Sequence, residues 1–309
     1  MEVGEKMANL KVTFCRLNLK NPTILASGVI DNTGAILKRV GKFAGAVTTK
    51  SISPEPRKGH ETPTIVELEE RSMLNAMGLP NPGIENFKEE LKIAKTGEAP
   101  VILNVVAKDI KGFVEVAEKL GSFADAVEVN LSCPNVKGGL EFSQSAEVAG
   151  DVISKIKKVT KVPIIAKLGP NVNSISEIAK AVEKAGASGI TAINTMPAME
   201  IDVETGKAIL ANVSGGLSGS HLRPIAVKCI YDIYREVKIP IIGTGGVLTG
   251  EDAAELMMAG ATAVGVGTAV WNEGPAAFQR ISKELNDFLD RKGYKNASDI
   301  IGISHGKNV

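Results

Sequence analysis

The segment Asn130-Leu131-Ser132-Cys133-Pro134-Asn135 sets a thiol, a hydroxyl, a proline and two carboxamides directly after the apolar run Ala126-Val127-Glu128-Val129. A cysteine on a polar loop at the end of a strand is reachable by a substrate, and the asparagines beside it can orient that substrate. Cys133 therefore stands as a nucleophile, a general base or a metal ligand, against the ordinary alternative of a buried structural thiol. Metal ligation lacks companions, because the histidines His60, His221 and His305 fall at no ligand spacing. A Cys–His nucleophile pair with His60 or His221 stays open.

Two glycine turns carry a second kind of chemistry. Ile242-Gly243-Thr244-Gly245-Gly246-Val247 and Gly265-Val266-Gly267-Thr268-Ala269 each close an apolar run. Glycines let backbone N–H groups approach an anion closely, so the pair predicts a phosphate site at Gly245, Gly246, Gly267 and Thr268. Lys50 and Lys167 also end apolar runs. An ammonium there can stabilise negative charge on a reduced flavin or on a substrate carboxylate. The segment Asn75-Ala76-Met77-Gly78-Leu79-Pro80-Asn81-Pro82-Gly83 is turn-rich, with carboxamides at both ends. It reads either as a plain connection or as a set of amide contacts to a planar polar substrate.

The elements that must position these residues repeat one pattern: a short β-branched run, a polar or glycine loop, then a longer amphipathic stretch. Strands are predicted at Thr23–Ala26, Ala46–Lys50, Val101–Val105, Ala126–Asn130, Ile164–Lys167, Gly189–Asn194, Ile241–Thr244 and Ala263–Gly267, apolar at most positions as doubly buried strands are. Helices follow at about Gly34–Val40, Ile84–Lys95, Gly112–Lys119, Ala146–Val159, Ile175–Lys184, Leu222–Glu236, Gly250–Ala259 and Ala276–Lys292. Eight such units predict an α/β (β/α)8 barrel spanning 1–309 as one domain, in preference to a doubly wound open sheet, which would carry Gly-x-Gly-x-x-Gly after its first strand. An alternating pattern over Leu10–Phe14 and Arg16–Leu19 predicts a hairpin on the barrel floor. Two connections are long, Ser51–Gly83 and Thr195–His221, and long loops in a compact domain are usually functional or lid-forming. A barrel gathers Ser27, Lys50, Ser51, Asn104, Asn130, Lys167, Asn194, Thr195 and the glycine turns into one polar ring.

The bulk properties bound the partners. The 309 residues are 44% hydrophobic with a net charge of +1, which points to no nucleic-acid surface. No apolar run is long enough to span a bilayer. The three cysteines, Cys15, Cys133 and Cys229, are far apart, which argues against a disulfide framework and for a reducing cytoplasm. Cys15 and Cys229 have apolar or helical neighbours and read as structural. No Cys-x-x-Cys occurs, so the chain alone holds no evident iron–sulfur or structural zinc site.

Together these motifs resemble the dihydroorotate dehydrogenases, specifically the soluble class 1 enzymes. The likeness is carried by Thr49-Lys50-Ser51, Asn75 through Asn81, Asn130 through Asn135, Ile193-Asn194-Thr195, Gly215-Gly216-Leu217-Ser218-Gly219 and Gly245-Gly246, in order and at strand ends. It implies one FMN per barrel and oxidation of dihydroorotate to orotate in pyrimidine synthesis. Cys133 becomes the general base that removes a proton from C5, with hydride passing from C6 to the flavin; class 2 enzymes carry serine at this place. The resemblance assigns orotate contacts to Lys50, Asn75, Ala76, Met77, Gly78, Leu79, Asn130, Asn194 and Thr195. It assigns FMN contacts to Ser27, Lys50, Ser51, Asn104, Asn130, Lys167, Ile193, Gly219, Gly245, Gly246, Gly267 and Thr268. A free thiol ionises near about pH 8.5, so a mostly neutral thiol implies activity that rises toward alkaline pH.

The stretches Glu55-Pro56-Arg57 and Val136-Lys137-Gly138-Gly139 are more similar to class 1B, in which a homodimer of the catalytic chain pairs with an iron–sulfur flavoprotein subunit to reduce NAD. FAD and a [2Fe-2S] cluster are then expected only on that partner, in a heterotetramer. Class 1A homodimers reduce fumarate instead. A dihydrouridine synthase also has a Cys-Pro after the fourth strand, but it calls for a basic face and an added helical domain. Dihydropyrimidine dehydrogenase-like chemistry fits less well with Lys50 and the Asn75 loop, which favour a carboxylated substrate. A redox-inactive phosphate-binding barrel, or a pure interaction subunit, is separated from all of these by the colour of the purified protein.

Overall fold

A computed structural model describes residues 8–30, 33–132 and 145–306. In chain order the strands are β1 (Val12–Phe14), β2 (Leu17–Leu19), β3 (Thr23–Leu25), β4 (Ala46–Thr48), β5 (Ile65–Leu68), β6 (Ser72–Asn75), β7 (Val101–Val105) and β8 (Ala126–Asn130). They continue as β9 (Ile164–Leu168), β10 (Gly189–Ala192), β11 (Met196–Ala198), β12 (Ile201–Asp202), β13 (Lys207–Ala208), β14 (Gly215–Gly219), β15 (Ile241–Thr244) and β16 (Ala263–Val266). The helices are α1 (Gly34–Val40), α2 (Gly83–Lys95), α3 (Ile110–Leu120), α4 (Ala146–Val159), α5 (Ile175–Lys184), α6 (Arg223–Glu236), α7 (Gly250–Met258), α8 (Thr268–Glu273) and α9 (Ala276–Lys292).

Eight of the strands close a parallel barrel in the order β3-β4-β7-β8-β9-β10-β15-β16 and back to β3, the (β/α)8 architecture that the alternating pattern predicts. Every position of β7, β8, β9, β10 and β16 is buried, because helices cover the outer face and side chains fill the interior. Four of the helices, α3, α4, α5 and α7, start at side-chain oxygen acceptors. Asp109, Ser145 and Ser174 accept from the backbone N–H groups of Gly112, Val148 and Glu177. Thr249 and Asp252 form a reciprocal capping box on α7. The cap at Asp109 explains why α3 begins two residues before the apolar pattern suggests.

The hairpin β1–β2 is antiparallel and lies against the bottom of the barrel. Phe14 is fully buried, and the Cys15 thiol donates to the Ser188 carbonyl at 2.9 Å, just before β10 starts. At the opposite end the barrel strands stop sooner than the apolar runs do. β3, β4, β10 and β16 end at Leu25, Thr48, Ala192 and Val266, which leaves Ser27, Lys50, Asn194 and Gly267 on the loops above.

The two long connections are not irregular. β5 and β6 from the first, and β11 and β14 from the second, pair as one antiparallel sheet ordered β11-β14-β6-β5. Its register sets Asn75 opposite Gly216 and Ser72 opposite Gly219. A small apolar cluster of Leu74, Ala76 and Leu210 backs this sheet, apart from the main core. No helix among the described residues is long and apolar enough to cross a membrane.

Candidate active site

Between the strand ends and the four-stranded sheet lies a cavity of about 690 Å³. Its lining includes every described residue that the sequence assigns to the site except Asn104. Cys133, with Pro134 and Asn135, lies outside the described residues. Its predecessor Ser132 lines the cavity and accepts from Asn194 Nδ2 at 2.5 Å, while Asn194 Nδ2 also reaches Asn130 Oδ1 at 3.3 Å. Asn130 in turn donates to Ser51 Oγ at 3.4 Å. The ends of β4, β8 and β10 are thus tied by side-chain amides and hydroxyls.

One wall is the glycine turn after β15. Gly245 and Gly246 have φ of +131° and +74°, and a Cβ on Gly246 would fall 2.5 Å from Arg223 Cβ and 2.9 Å from the Arg223 backbone. Glycine is required there because α6 begins against it. The other turn brings Gly267 and the start of α8 at Thr268 to the same cavity. Asn75 through Leu79 also line the cavity. Asn81 settles the shape of that segment: its Oδ1 accepts from the Ser53 and Gly83 backbone N–H groups, and its Nδ2 donates to Ser53 Oγ and the Leu79 carbonyl. The two carboxamides of this stretch therefore divide their work. Buried Asn81 shapes the loop, and Asn75 lines the cavity while donating to the Gly216 carbonyl at 3.3 Å.

Of the histidines weighed beside Cys133, His60 lines the cavity, with Nδ1 3.1 Å from the Ala76 carbonyl. His221 is outside the lining, 3.6 Å from Glu70. Burial pushes the Cys15 thiol up to about 12 and, with help from Asp232, the Cys229 thiol up to about 11, which fits the structural role read for both. No group of three or more His, Cys, Asp or Glu side chains that could hold a metal occurs among the described residues.

Lys167 forms part of the floor and donates to Ser27 Oγ at 2.8 Å. Asn104 lies below, fully buried and outside the lining, with Nδ2 donating to Glu128 Oε1 at 2.6 Å. Reading the sequence for chemistry passes over Glu128, Thr191, Asn171 and Trp271, and gives Ser132 and Ser218 no role of their own. Only Glu128 carries a signal: a charged residue inside a strand apolar on both faces is an anomaly that needs a buried partner.

The cavity suits FMN in its chemistry. The glycine turns and Thr268 contribute to its lining, the side-chain-free backbone and hydroxyl that a phosphate requires. Lys167, Ser27 and Asn130 offer donors for a ring's polar edge, and Ala26, Val29, Ile193, Leu222 and Val247 offer apolar surface for its faces. The volume falls in the range typical for drug-sized ligands, roughly 300–1,000 Å³.

A closed (β/α)8 barrel with a polar cavity at the carboxyl ends of its strands defines a barrel enzyme whose site is built from strand-end loops. The family model described as dihydroorotate dehydrogenase matches residues 9–289, and the chain belongs to that family. The dihydroorotate dehydrogenase B (NAD(+)) catalytic subunit of Pyrococcus abyssi is 47% identical over 96% of this chain and 99% of its own length. The protein of the same description from Methanocaldococcus jannaschii is 44% identical over 98% of this chain and 100% of its own. Among solved structures, dihydroorotate dehydrogenase from Eimeria tenella, in complex with ferulenol, shares the fold with a TM-score of 0.84 at 24% identity, covering 99% of this chain and 91% of that one.

Proposed function

We propose that this chain is the catalytic subunit of an NAD-linked dihydroorotate dehydrogenase that oxidises (S)-dihydroorotate to orotate in cytoplasmic pyrimidine synthesis. The observation that carries the reading is the convergence of Lys50, the Asn75–Leu79 segment, Asn130, Asn194 and Thr195 on one cavity, in a chain with near-full-length relatives described as that subunit. The 309 residues act as one FMN-binding barrel.

The glycine turns, Thr268, Ser27, Ser51, Asn104, Asn130, Lys167, Ile193 and Gly219 would hold FMN, which would supply the acceptor for the hydride that leaves C6 of dihydroorotate. Lys50 is the cation in the lining suited to the substrate carboxylate, and the amides of Asn75, Asn130 and Asn194 are suited to the ring's carbonyl and N–H edges. Cys133, next in sequence to Ser132, takes the C5 proton as a thiolate; loss of that proton and of the C6 hydride leaves the C5–C6 double bond of orotate. The four-stranded sheet and the barrel strand ends together bound the cavity in which this chemistry is placed.

Electrons leave toward a partner subunit carrying FAD and a [2Fe-2S] cluster, in a heterotetramer built on a homodimer of this chain. The relatives' description as a catalytic subunit supports a second subunit. The decisive experiment is anaerobic addition of dihydroorotate to the yellow protein, followed by NAD with and without the co-purified partner, or by fumarate. Bleaching, with reoxidation by NAD only when the partner is present, is expected. A protein whose flavin stays oxidised with dihydroorotate is not this enzyme, and reoxidation by fumarate alone moves it to the homodimeric class.

A further inference from the structure

The segment Asn75 through Asn81 is anchored at one end by Asn75, paired with Gly216, and at the other by Asn81, which bonds Ser53 and Gly83. An earlier stretch of the same long connection runs beside it. Arg57 and Asn81 exchange backbone hydrogen bonds at 2.9 and 3.0 Å. Further along, His60 takes two consecutive carbonyls. Its backbone N–H donates to the Met77 carbonyl at 3.1 Å, and its ring Nδ1 lies 3.1 Å from the Ala76 carbonyl. Because a carbonyl only accepts, Nδ1 is the donor, and Nε2 takes no part in this bond. The close approach is built into the sequence. Gly78 has φ of +72°, and a Cβ there would lie 2.6 Å from both the backbone nitrogen and the ring Cδ2 of His60.

The peptide bonds Ala76–Met77 and Met77–Gly78 are trans. In a trans peptide the N–H points opposite to the carbonyl before it. Two carbonyls turned to His60 therefore send the N–H groups of Met77 and Gly78 away from it, and neither donates to another described residue. Met77 and Gly78 line the cavity, in the same lining as Lys50. Successive free backbone N–H groups suit an oxyanion. We propose that His60 is a positioning residue for the substrate: by holding the Ala76 and Met77 carbonyls, it leaves the Met77 and Gly78 N–H groups to donate to the carboxylate of dihydroorotate. This rests on the reading of dihydroorotate as the substrate. His60 acts through the loop and not on the reacting atoms.

The test is the affinity of the native holoenzyme, His60→Leu and His60→Asn for orotate, by titration calorimetry, with KM and kcat for dihydroorotate alongside. Asparagine carries an amide N–H as many bonds from Cα as the histidine Nδ1–H, whereas leucine fills the space with no donor. His60→Leu is expected to weaken orotate binding and raise KM by roughly 3- to 10-fold. Its kcat should stay within about twofold of native, because the contact serves ground state and transition state alike. His60→Asn is expected to bring affinity and KM back to within about twofold of native. Native orotate affinity in His60→Leu, or a loss in His60→Asn as large as that in His60→Leu, overturns the inference. A native holoenzyme that binds no orotate overturns the dihydroorotate reading instead, so the two failures are distinct. Should His60→Leu not fold, His60→Ala, which adds no bulk beside Gly78, carries the same expectation and the same overturning result.

Discussion

Asn194 and Ser132 join the end of β10 to the end of β8, through a 2.5 Å bond from the Asn194 amide to the Ser132 hydroxyl. Ser132 in turn donates to Asn130 Oδ1 at 3.1 Å. The residue preceding Cys133 is therefore fixed by the side chains of Asn130 and Asn194, which is the kind of support the base proposed at Cys133 needs. Asn194→Ala removes the bridge and one amide of the cavity wall. Losing such a bond costs about 1–3 kcal/mol, or roughly 5- to 150-fold in the rate of flavin reduction at limiting dihydroorotate. Stopped-flow bleaching measures it, and a native rate would remove Asn194 from the site.

Gly246 is the tightest point of the glycine turn. Gly246→Ala puts a methyl group against the first turn of α6 at a φ that disfavours any side chain. We expect a loss of about 1–3 kcal/mol in stability and a matching fall in FMN affinity, read by thermal melting and by quenching of flavin fluorescence. A variant that melts and binds FMN as the native chain does would mean that the turn yields without cost.

The barrel was legible because its signal is local. Doubly buried strands are short apolar runs, and α4 and α5 begin at serines that accept from N3. The four-stranded sheet was not legible, for a physical reason. β14 is Gly-Gly-Leu-Ser-Gly, a run with little strand propensity whose place is set by close approach: a Cβ on Gly216 would lie 2.1 Å from Thr195 Oγ1. Its partner β6 is more than a hundred residues away in sequence, and no local pattern announces that pairing. At the site, strand-end residues could be named from their types. The inward-facing Glu128 and Thr191 could not, because their meaning lies in what they face across neighbouring strands.

The thiols separate by environment. Burial holds Cys15 up at about 12 and Cys229 at about 11, so at pH 8 both are almost wholly protonated. Alkylation with iodoacetamide at that pH should be slower at these two by roughly a hundredfold or more than at an ordinary thiol, with Cys133 modified first in peptide maps. Rapid labelling of Cys15 would contradict its burial. The sign for stability follows. A thiol raised on folding stabilises the fold below its ordinary value, and that contribution is lost as pH climbs toward about 12. Cys15→Ala should therefore melt with less alkaline sensitivity between pH 8 and 10 than the native chain.

Arg280 gathers the elements beside the second glycine turn. From α9 it donates to Glu273 of α8 at 2.8 and 2.9 Å, to Glu284 at 2.8 Å, and to the Leu248 carbonyl just past β15 at 2.8 Å. Glu273 also pairs with Arg71 from the first long connection. The Arg280 bond, opposed by partial desolvation, holds the Glu273 carboxyl below the usual carboxylate range. That part of the stability is present above the unfolded carboxylate value and disappears as pH falls through the lowered one. Arg280→Met should cost about 1 kcal/mol at neutral pH, because the cluster is partly exposed. The difference in melting temperature from the native chain should narrow as pH falls below about 4, where unfolded carboxyls begin to protonate. The bond to Leu248 does not titrate, so a residual difference should persist at pH 3. A gap unchanged from pH 7 to pH 3 would assign the whole effect to the Leu248 carbonyl and none to Glu273.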